Sequence, residues 1–196
     1  MELTVDDVRS APTMATPLTM LDICAMSDGV TVAILASEEM AEKLAFRPVK
    51  IAGVGSGTDG MRMADRPRRG VILLPHESPE DYKDLRYPGA HSFRAAKMAY
   101  QMAGTSTPRE ELNFVELHDA YTSSEIQTYE DMGLCKYGEG GCFIEEGHSK
   151  LTGVVPANPF GGLPACGHPV GATGLMQAVF AFWQLQGTIA KHLGKR

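Results

Sequence analysis

The chain has 196 residues, of which 43% are hydrophobic and 21% are charged, and this composition predicts a globular protein of one domain or two small ones. A formal net charge of −6, from 18 basic and 24 acidic residues, argues against nucleic acid or an anionic membrane surface as a partner. No apolar run reaches the ~20 residues of a membrane span, and the start of the sequence lacks a secretory pattern, so we expect a cytoplasmic protein.

The first 36 residues predict a lead-in segment followed by a strand. Residues 1–22 carry two prolines and only a weak apolar rhythm, which is typical of a short helix or a loop. Ser27, Asp28 and Gly29 then form a turn signal. The β-branched and apolar run at 30–36 therefore predicts a buried strand.

A helix and a second strand are predicted next. Ser37 is a typical helix cap, with Glu38 and Glu39 in the first turn, and the helix must end before Pro48. Residues 49–54 predict a strand that closes in a glycine-rich loop. That loop resembles a phosphate-binding loop only loosely, because no helix pattern follows it.

The middle of the chain predicts a surface insertion at about 61–88, where prolines, arginines and acids occur without periodicity. Residues 92–104 predict a helix that ends at a glycine. Its apolar face comprises Phe93, Ala96, Tyr100 and Ala103. Residues 107–110 have the pattern of a capping box with proline at the first position, so we expect a short helix there.

A third strand at 113–117 is predicted to deliver His118, Asp119 and Tyr121 at its carboxyl end, before a helix at 122–132. Residues 137–163 are glycine-rich and predict mostly loop. The last element is a long helix that opens at Gly171 and is apolar almost all round, so we expect it between layers. The alternation of strands and helices predicts an α/β layered fold.

The polar residues placed best for chemistry are His118, Asp119 and His168. Ligands bind at the carboxyl ends of strands in α/β sheets, and His168 precedes the long helix. Two imidazoles at such a place can present N–H groups to an oxygen that gains negative charge. Each of them can equally be a hydrogen-bonded structural histidine, and spacing alone favours that second reading.

The four cysteines are too sparse for a disulfide scaffold and form no CxxC pair, so we expect reduced thiols and no metal site. Cys166 lies two residues before His168, but a lining thiol is a better interpretation than a nucleophile. Tyr121 and Glu125 lie one helical turn apart, and this spacing fits a pocket or a solvated pair equally well.

Three strings in the sequence favour a functional reading of His118 and His168. In chain order they are NFVELHDAYT at 113–122, NPFGGL at 158–163 and GHPVGATG at 167–174. Together they resemble the carboxyl-terminal half of thiolases. PLTMLD at 17–22, followed by SDG at 27–29, is similar to the end of their amino-terminal half. The HDAY string, with histidine at its first position, is similar to the corresponding string in the archaeal and sterol-carrier-type branch of the superfamily. The resemblance implies a layered α-β-α thiolase-like fold of which this chain is the C-terminal half.

Two domains follow from the resemblance. Residues 1–46 correspond to the end of the thiolase N-terminal half, with its last strand and helix. Residues 47–196 correspond to the thiolase C-terminal domain, with the insertion at about 61–88. Most of the N-terminal half and the final glycine-rich hairpin are expected to be absent.

The chemistry implied is that of an acyl-CoA acyltransferase, which thiolyses a 3-oxoacyl-CoA or condenses two acyl-CoAs. His168 corresponds to the histidine that assists a nucleophilic cysteine and lines an oxyanion hole. His118 takes the place of an asparagine that orients water there. The implied substrate contacts are Asp119, Tyr121, Phe160, Gly161, Gly162, Cys166 and Gly167. Coenzyme A enters only as substrate, and no bound cofactor is expected.

The nucleophilic cysteine has no counterpart in this sequence, so the chain alone is expected to be nearly inactive. We therefore expect a homo-oligomer, or a hetero-oligomer with a chain that carries the N-terminal thiolase half. A small zinc-ribbon and OB-fold protein is a further candidate partner by resemblance. Two rival functions stay open: a thiolase-like aldolase that cleaves a β-hydroxyacyl-CoA with Tyr121 as acid or base, and a non-catalytic subunit that binds coenzyme A or supports a partner.

Overall fold

The computed structural model describes residues 3–60, 73–83 and 91–192. The chain divides into two compact units, each assembled from separate stretches. Unit 1 comprises Met1–Lys50, Phe114–Glu125 and Ala157–Arg196, and unit 2 comprises Ile51–Asn113 and Ile126–Pro156. Within the described part, no helix is both long and apolar enough to cross a membrane. The predicted domain boundary after residue 46 stays a prediction.

The described elements are mainly helices joined by irregular segments. Two short strands, at Thr13–Ala15 and Leu18–Thr19, pair antiparallel, and short 3-10 turns occur at Met20–Asp22 and Pro79–Tyr82. In chain order the elements are α1 Val5–Ser10, β1 Thr13–Ala15, β2 Leu18–Thr19, α2 Glu38–Leu44, α3 His91–Ala103, α4 Pro108–Glu111, α5 Thr122–Asp131, α6 Gly140–Glu145, α7 Gly162–Cys166, α8 Thr173–Gln186 and α9 Ile189–His192.

Unit 1 has its core where the segment at 115–120 meets α7 and α8. The buried apolar side chains there are Val115, Leu117, Ala120, Leu163 and Phe180. Isolated backbone bridges tie this unit together instead of a continuous sheet, and they join Ile23 to Tyr121, Met26 to His168 and Val115 to Ala157.

Unit 2 packs around α3, whose predicted apolar face is buried at Phe93 and Tyr100. The segment that precedes it lies directly on the α3 backbone at Gly53 and Gly55, where any side chain would collide with the carbonyls of Ala99 and Ala95. Because alternate residues of an extended chain face the same way, glycine at both positions permits this close approach.

The predicted strands at 30–36 and 49–54 are wrong for the described chain, which shows neither helix nor strand there. Val30, Val32 and Ile34 are 91%, 76% and 92% exposed, so the run is not buried. A strand is stabilised by backbone pairing with a neighbour, and none of the bridges in the described residues involves 30–36. Only Val115 is paired in the predicted strand at 113–117.

The stretch at 137–163 is mostly loop, as predicted, and it also contains α6 and the start of α7. Two smaller expectations were wrong. Helix α8 does not lie between layers within this chain, because Leu175 and Leu185 are exposed. The side chain of Thr107 does not cap α4; instead the Glu111 carboxylate accepts the backbone N–H groups of Ser106 and Thr107.

The helix predictions were otherwise confirmed. Ser37 caps α2 by accepting the Met40 N–H, and Gly104 ends α3 with a φ of +77°. The insertion predicted at 61–88 lies mostly outside the described residues, which cover only 73–83 of it.

Candidate functional site

His118 follows a short extended segment of unit 1. Val115 and Leu117 are buried, while Glu116 and His118 alternate with them and are more exposed, as the period of two in an extended chain requires. The backbone of Val115 pairs with the segment at 157–158, where the Asn158 N–H donates to the Val115 carbonyl at 2.8 Å. His118 is thus carried at the end of a segment anchored by its buried neighbours.

Two side chains hold the residue before His118. The Leu117 N–H donates to Oδ1 of Asn158 at 2.8 Å. The Leu117 carbonyl accepts a hydrogen bond from Nε2 of Gln177, which lies on α8. Asn158 has a φ of +44°, a conformation that asparagine tolerates better than most side chains. These side chains replace the backbone pairing that ends at Val115.

His168 is held by its own backbone against residues 25–27 of unit 1. Its N–H donates to the Ala25 carbonyl at 2.9 Å, and its carbonyl accepts the Ser27 N–H at 3.3 Å. Gly167 has a φ of +85°, and Ser27 Oγ occupies the space that a side chain at residue 167 would need. A glycine is therefore required immediately before His168.

Thr173 fixes the ring of His168. Nδ1 of His168 lies 2.7 Å from the Thr173 hydroxyl, which donates its single proton to the Pro169 carbonyl at 3.0 Å. The hydroxyl therefore accepts from Nδ1–H, and the neutral ring keeps an unprotonated Nε2. His168 is only 8% exposed, so this arrangement is buried. Such a ring can take a proton at Nε2 and afterwards donate it.

The two histidines meet in unit 1. Their ring centroids are 4.7 Å apart and the ring planes are 76° to one another, which is an edge-to-face contact. His118 is exposed and His168 is buried, so only one side of the pair is open to a ligand. The helix that follows His168 begins at Thr173, and its dipole favours negative charge near its start. The pair can therefore stabilise an oxygen that becomes negative and exchange a proton with it.

Asp119 is buried beneath this site at 5% exposure. Its Oδ1 accepts the Leu163 N–H at 2.9 Å, so it satisfies the first turn of α7. Gly162, with a φ of +69°, leaves the space that Oδ2 of Asp119 occupies. In the structure Asp119 organises the loop at 158–163, and its predicted contact with substrate stays a prediction.

The remaining predicted substrate contacts all lie in unit 1. The Phe160 ring stacks on Phe180 of α8 with centroids 3.3 Å apart. Gly161 has a φ of +134°, and Cys166 Sγ lies beside it. Tyr121 is 45% exposed and its backbone bridges to Ile23. All nine predicted site residues thus belong to unit 1, and their shared role at a substrate site stays a prediction.

The thiols of unit 1 are poorly suited to act as nucleophiles. Burial, with the charges of Asp119 and Glu116, raises the pKa of Cys166. Burial and the charge of Asp119 also raise the pKa of Cys24. A thiolate is the reactive form, so a raised pKa lowers the fraction of each thiol that is reactive at neutral pH. The interpretation of Cys166 as a lining thiol stays a prediction.

A buried carboxyl group near the site was missed from the sequence. Burial is the main reason that the pKa of Glu116 rises to about 7, with Asp119 adding to the rise and a hydrogen bond from the Phe160 backbone opposing it. Oε1 of Glu116 is buried and has no hydrogen-bond partner in the described part of the chain. The carboxyl group of Glu116 therefore holds a proton to higher pH than an ordinary glutamate does.

The positioning side chains Asn158, Thr173 and Gln177 were also missed as site residues. Thr173 and Gln177 are spaced four residues apart in a stretch that is otherwise apolar, and this spacing was a usable signal for a polar face on α8. No group of three or more His, Cys, Asp or Glu side chains that could hold a metal ion occurs in the described ranges.

Comparison with known proteins identifies the fold and the family. Residues 74–193 match the family described as thiolase C-terminal domain-like. The chain is 36% identical over 191 residues to an acetyl-CoA acetyltransferase of Methanothermobacter thermautotrophicus, covering 97% of this chain and 45% of that relative. It is 35% identical over 193 residues to sterol carrier protein 2 of Oryctolagus cuniculus, covering 97% of this chain and 32% of the relative.

A solved structure described as an Ltp2-ChsH2(DUF35) aldolase has the same fold. The match has a TM-score of 0.68 at 24% sequence identity, and it covers 91% of this chain and 43% of that one. The chain therefore spans less than half the length of the proteins it matches. The predicted α/β, thiolase-like fold and the resemblance to the archaeal and sterol-carrier-type branch are confirmed, and the chain belongs to the thiolase C-terminal domain-like family.

Proposed function

We propose that this chain supplies the two-histidine side of an acyl-CoA carbon–carbon bond enzyme, which thiolyses a 3-oxoacyl-CoA or runs the reverse Claisen condensation. The contact between His118 and His168, with Nδ1 of His168 held by Thr173, is the observation that carries the proposal. Acyl-CoA is the substrate, and no bound cofactor or metal is part of the proposal.

The two rings have different tasks in this proposal. Nε2 of His168 accepts the proton of a nucleophilic thiol, and the thiolate then attacks the carbonyl carbon of the substrate. The imidazolium formed at His168 donates a hydrogen bond to the oxygen that becomes negative, together with an N–H of His118. When the carbon–carbon bond breaks, its electron pair passes to an enolate at the thioester oxygen of the departing acyl-CoA, and the proton held by His168 is then delivered to carbon. The acyl group left on the thiol as a thioester is transferred to the sulfur of coenzyme A, whose proton restores the nucleophilic thiol.

The nucleophilic thiol comes from outside these 196 residues. The raised pKa values of Cys24 and Cys166 argue against either as the nucleophile. We propose that a chain or segment carrying the N-terminal thiolase half supplies it. The apolar side chains exposed at 30–36 support such an association, because exposed apolar runs mark interaction surfaces. A zinc-ribbon and OB-fold partner is a second component of the proposed assembly, and a cytoplasmic location is part of the same proposal.

A thiolase-like aldolase is the second candidate function. Cleavage of a β-hydroxyacyl-CoA requires an acid or base but no nucleophilic cysteine, so this reaction is compatible with the raised pKa values of the Cys24 and Cys166 thiols. Tyr121, which is 45% exposed, would act as the acid or base.

The test begins with the native assembly, purified gently through this chain, and with the proteins that accompany it identified by mass spectrometry. The assembly is assayed with a 3-oxoacyl-CoA plus coenzyme A and, separately, with a 3-hydroxyacyl-CoA. Thiolysis that falls ~10²–10³-fold in H118A and H168A supports the proposal. H148A is the matched control, because His148 lies in unit 2 and pairs with Glu146.

Two results would contradict the proposed thiolase activity. Cleavage of the 3-hydroxy substrate alone, lost in Y121F, would identify an aldolase. Activity that survives the loss of both histidines would make this chain a non-catalytic, coenzyme A-binding or scaffolding subunit.

A further inference from the structure

One face of α8 contacts three separate parts of the candidate site. Thr173, Gln177 and Phe180 occupy positions i, i+4 and i+7 and therefore lie on the same side of the helix. Thr173 holds Nδ1 of His168 and Gln177 donates to the Leu117 carbonyl. Phe180 stacks on Phe160 of the loop at 158–163.

The contact from Gln177 acts on a peptide group that the backbone leaves unpaired. The bridge between Val115 and Ala157 is the last pairing of the segment before His118. The Leu117 carbonyl belongs to the peptide unit that continues into His118, so the plane of this unit sets the direction of the His118 side chain. Leu117 is only 3% exposed, so its carbonyl would lose a buried partner if Gln177 were changed.

We propose that Gln177 is a positioning residue for His118, and that α8 fixes the separation of the two imidazoles through Gln177 and Thr173. The inference rests on the proposed function and adds a residue that does not touch substrate. A helix rises ~1.5 Å per residue, so the four residues between Thr173 and Gln177 set a rigid spacing of about 6 Å.

Loss of Gln177 should affect turnover and leave substrate binding unchanged. A displacement of about 1 Å in a catalytic group costs as much as ~10²-fold in rate. We expect Q177M, which keeps the length and apolar stem of the side chain without its donor, to lower kcat about 10- to 100-fold in the assembled enzyme. KM for the acyl-CoA should stay within about twofold, because the contact is made equally with and without substrate.

The experiment pairs this kinetic measurement with NMR of the full chain carrying 15N-labelled histidine. Q177M should shift or broaden the imidazole signals of His118 and leave those of His168 in place. Q177K, which restores a donor on a side chain of similar length, should recover most of both effects. Q184M is the matched control, since Gln184 lies on α8 two turns further along.

The outcomes separate this inference from the proposed function. Unchanged His118 signals in Q177M would overturn the positioning role, and so would a loss of kcat that Q177K does not recover. If Q177M does not fold, Q177K against Q177E in the same two measurements decides the matter, because both keep the length and only the lysine can donate. If the His118 signals shift in Q177M while H118A stays fully active, the positioning role of Gln177 is supported and the proposed function is contradicted.

Discussion

Oδ2 of Asp119 fills the space that a side chain at Gly162 would need, while Oδ1 of the same carboxylate holds the Leu163 N–H at 2.9 Å. Asp119 belongs to the HDAY string and Gly162 to the NPFGG string, 43 positions further along the sequence. A buried carboxylate and a missing Cβ thus fit each other, and the loop at 158–163 depends on both.

G162A should be strongly destabilising. The alanine would have to keep a φ of +69°, and its Cβ would lie within 3.0 Å of Oδ2 of Asp119. The carboxylate must therefore move away and release the Leu163 N–H. We expect a loss of about 3 kcal/mol in the free energy of unfolding, measured by urea denaturation. G104A has a similar φ of +77° with open space around it and should lose only about 1 kcal/mol. Equal losses in the two variants would show that Asp119 contributes nothing.

T173V should release the ring of His168. Valine keeps the shape of the buried threonine but cannot accept Nδ1–H, so a buried hydrogen bond is lost. We expect the chain to lose about 1–3 kcal/mol of stability and the His168 nitrogens to show a mixture of tautomers in 15N spectra. T152V, at an exposed position, should change stability by less than about 0.5 kcal/mol. A single, unchanged tautomer in T173V would contradict the assignment of the proton to Nδ1.

Glu116 should make the stability of unit 1 depend on pH. Its pKa is raised from 4.5 to about 7 on folding, so the folded chain binds a proton that the unfolded chain has released between these values. The free energy of unfolding should therefore fall as pH rises from about 4.5 through 7, and the loss is complete above that range. E116Q removes this dependence and should be more stable than the wild type at pH 8 by on the order of 1–2 kcal/mol, allowing for partial exposure.

The measurement is urea denaturation of wild type and E116Q at pH 5, 6, 7 and 8. E145Q is the control, because Glu145 is exposed and its removal should shift all four values equally. A constant difference between wild type and E116Q across the range would mean that Glu116 is ionised throughout.

Unit 2 contains a buried ion pair between Lys97 and Glu77, whose side chains are 8% and 15% exposed. K97M should cost about 3–5 kcal/mol, because the Glu77 carboxylate, which also accepts the Leu74 N–H, keeps its charge away from water. Thermal unfolding checks this. The exposed pair of Lys83 and Glu80 is the control, and K83M should change stability by less than about 1 kcal/mol. A similar small change in K97M would show that Glu77 protonates instead.

The parts of the fold that local sequence determines were predictable. Ser37 caps α2 and Phe93 and Tyr100 are buried on α3 because capping and helical periodicity act within a few residues. The two histidines were likewise predictable as candidates, since each stands beside a recognisable string. The backbone of residues 23–27 pairs both with residues 120–121 and with His168, more than 140 positions along the chain, and no local pattern encodes that pairing.

The strand predictions failed for a related reason. The run at 30–36 has the composition of a buried strand, yet Ile34 is 92% exposed, because burial depends on what covers a segment and not on its own residues. Asn158 and Gln177 could not be identified as site residues from sequence alone, because their role is defined by the backbone groups of Leu117, which become unpaired only in the folded chain.

Trp183 is the single tryptophan of the chain, and it continues the aromatic row of Phe160 and Phe180 in unit 1. Its ring also stacks on His192 with centroids 4.1 Å apart. Tryptophan fluorescence therefore reports on one unit only, and a tyrosine or circular dichroism signal is needed for the other. A mismatch between the two probes on unfolding would separate the melting of the unit that carries His118 and His168 from the melting of the other unit, without a label or a tag.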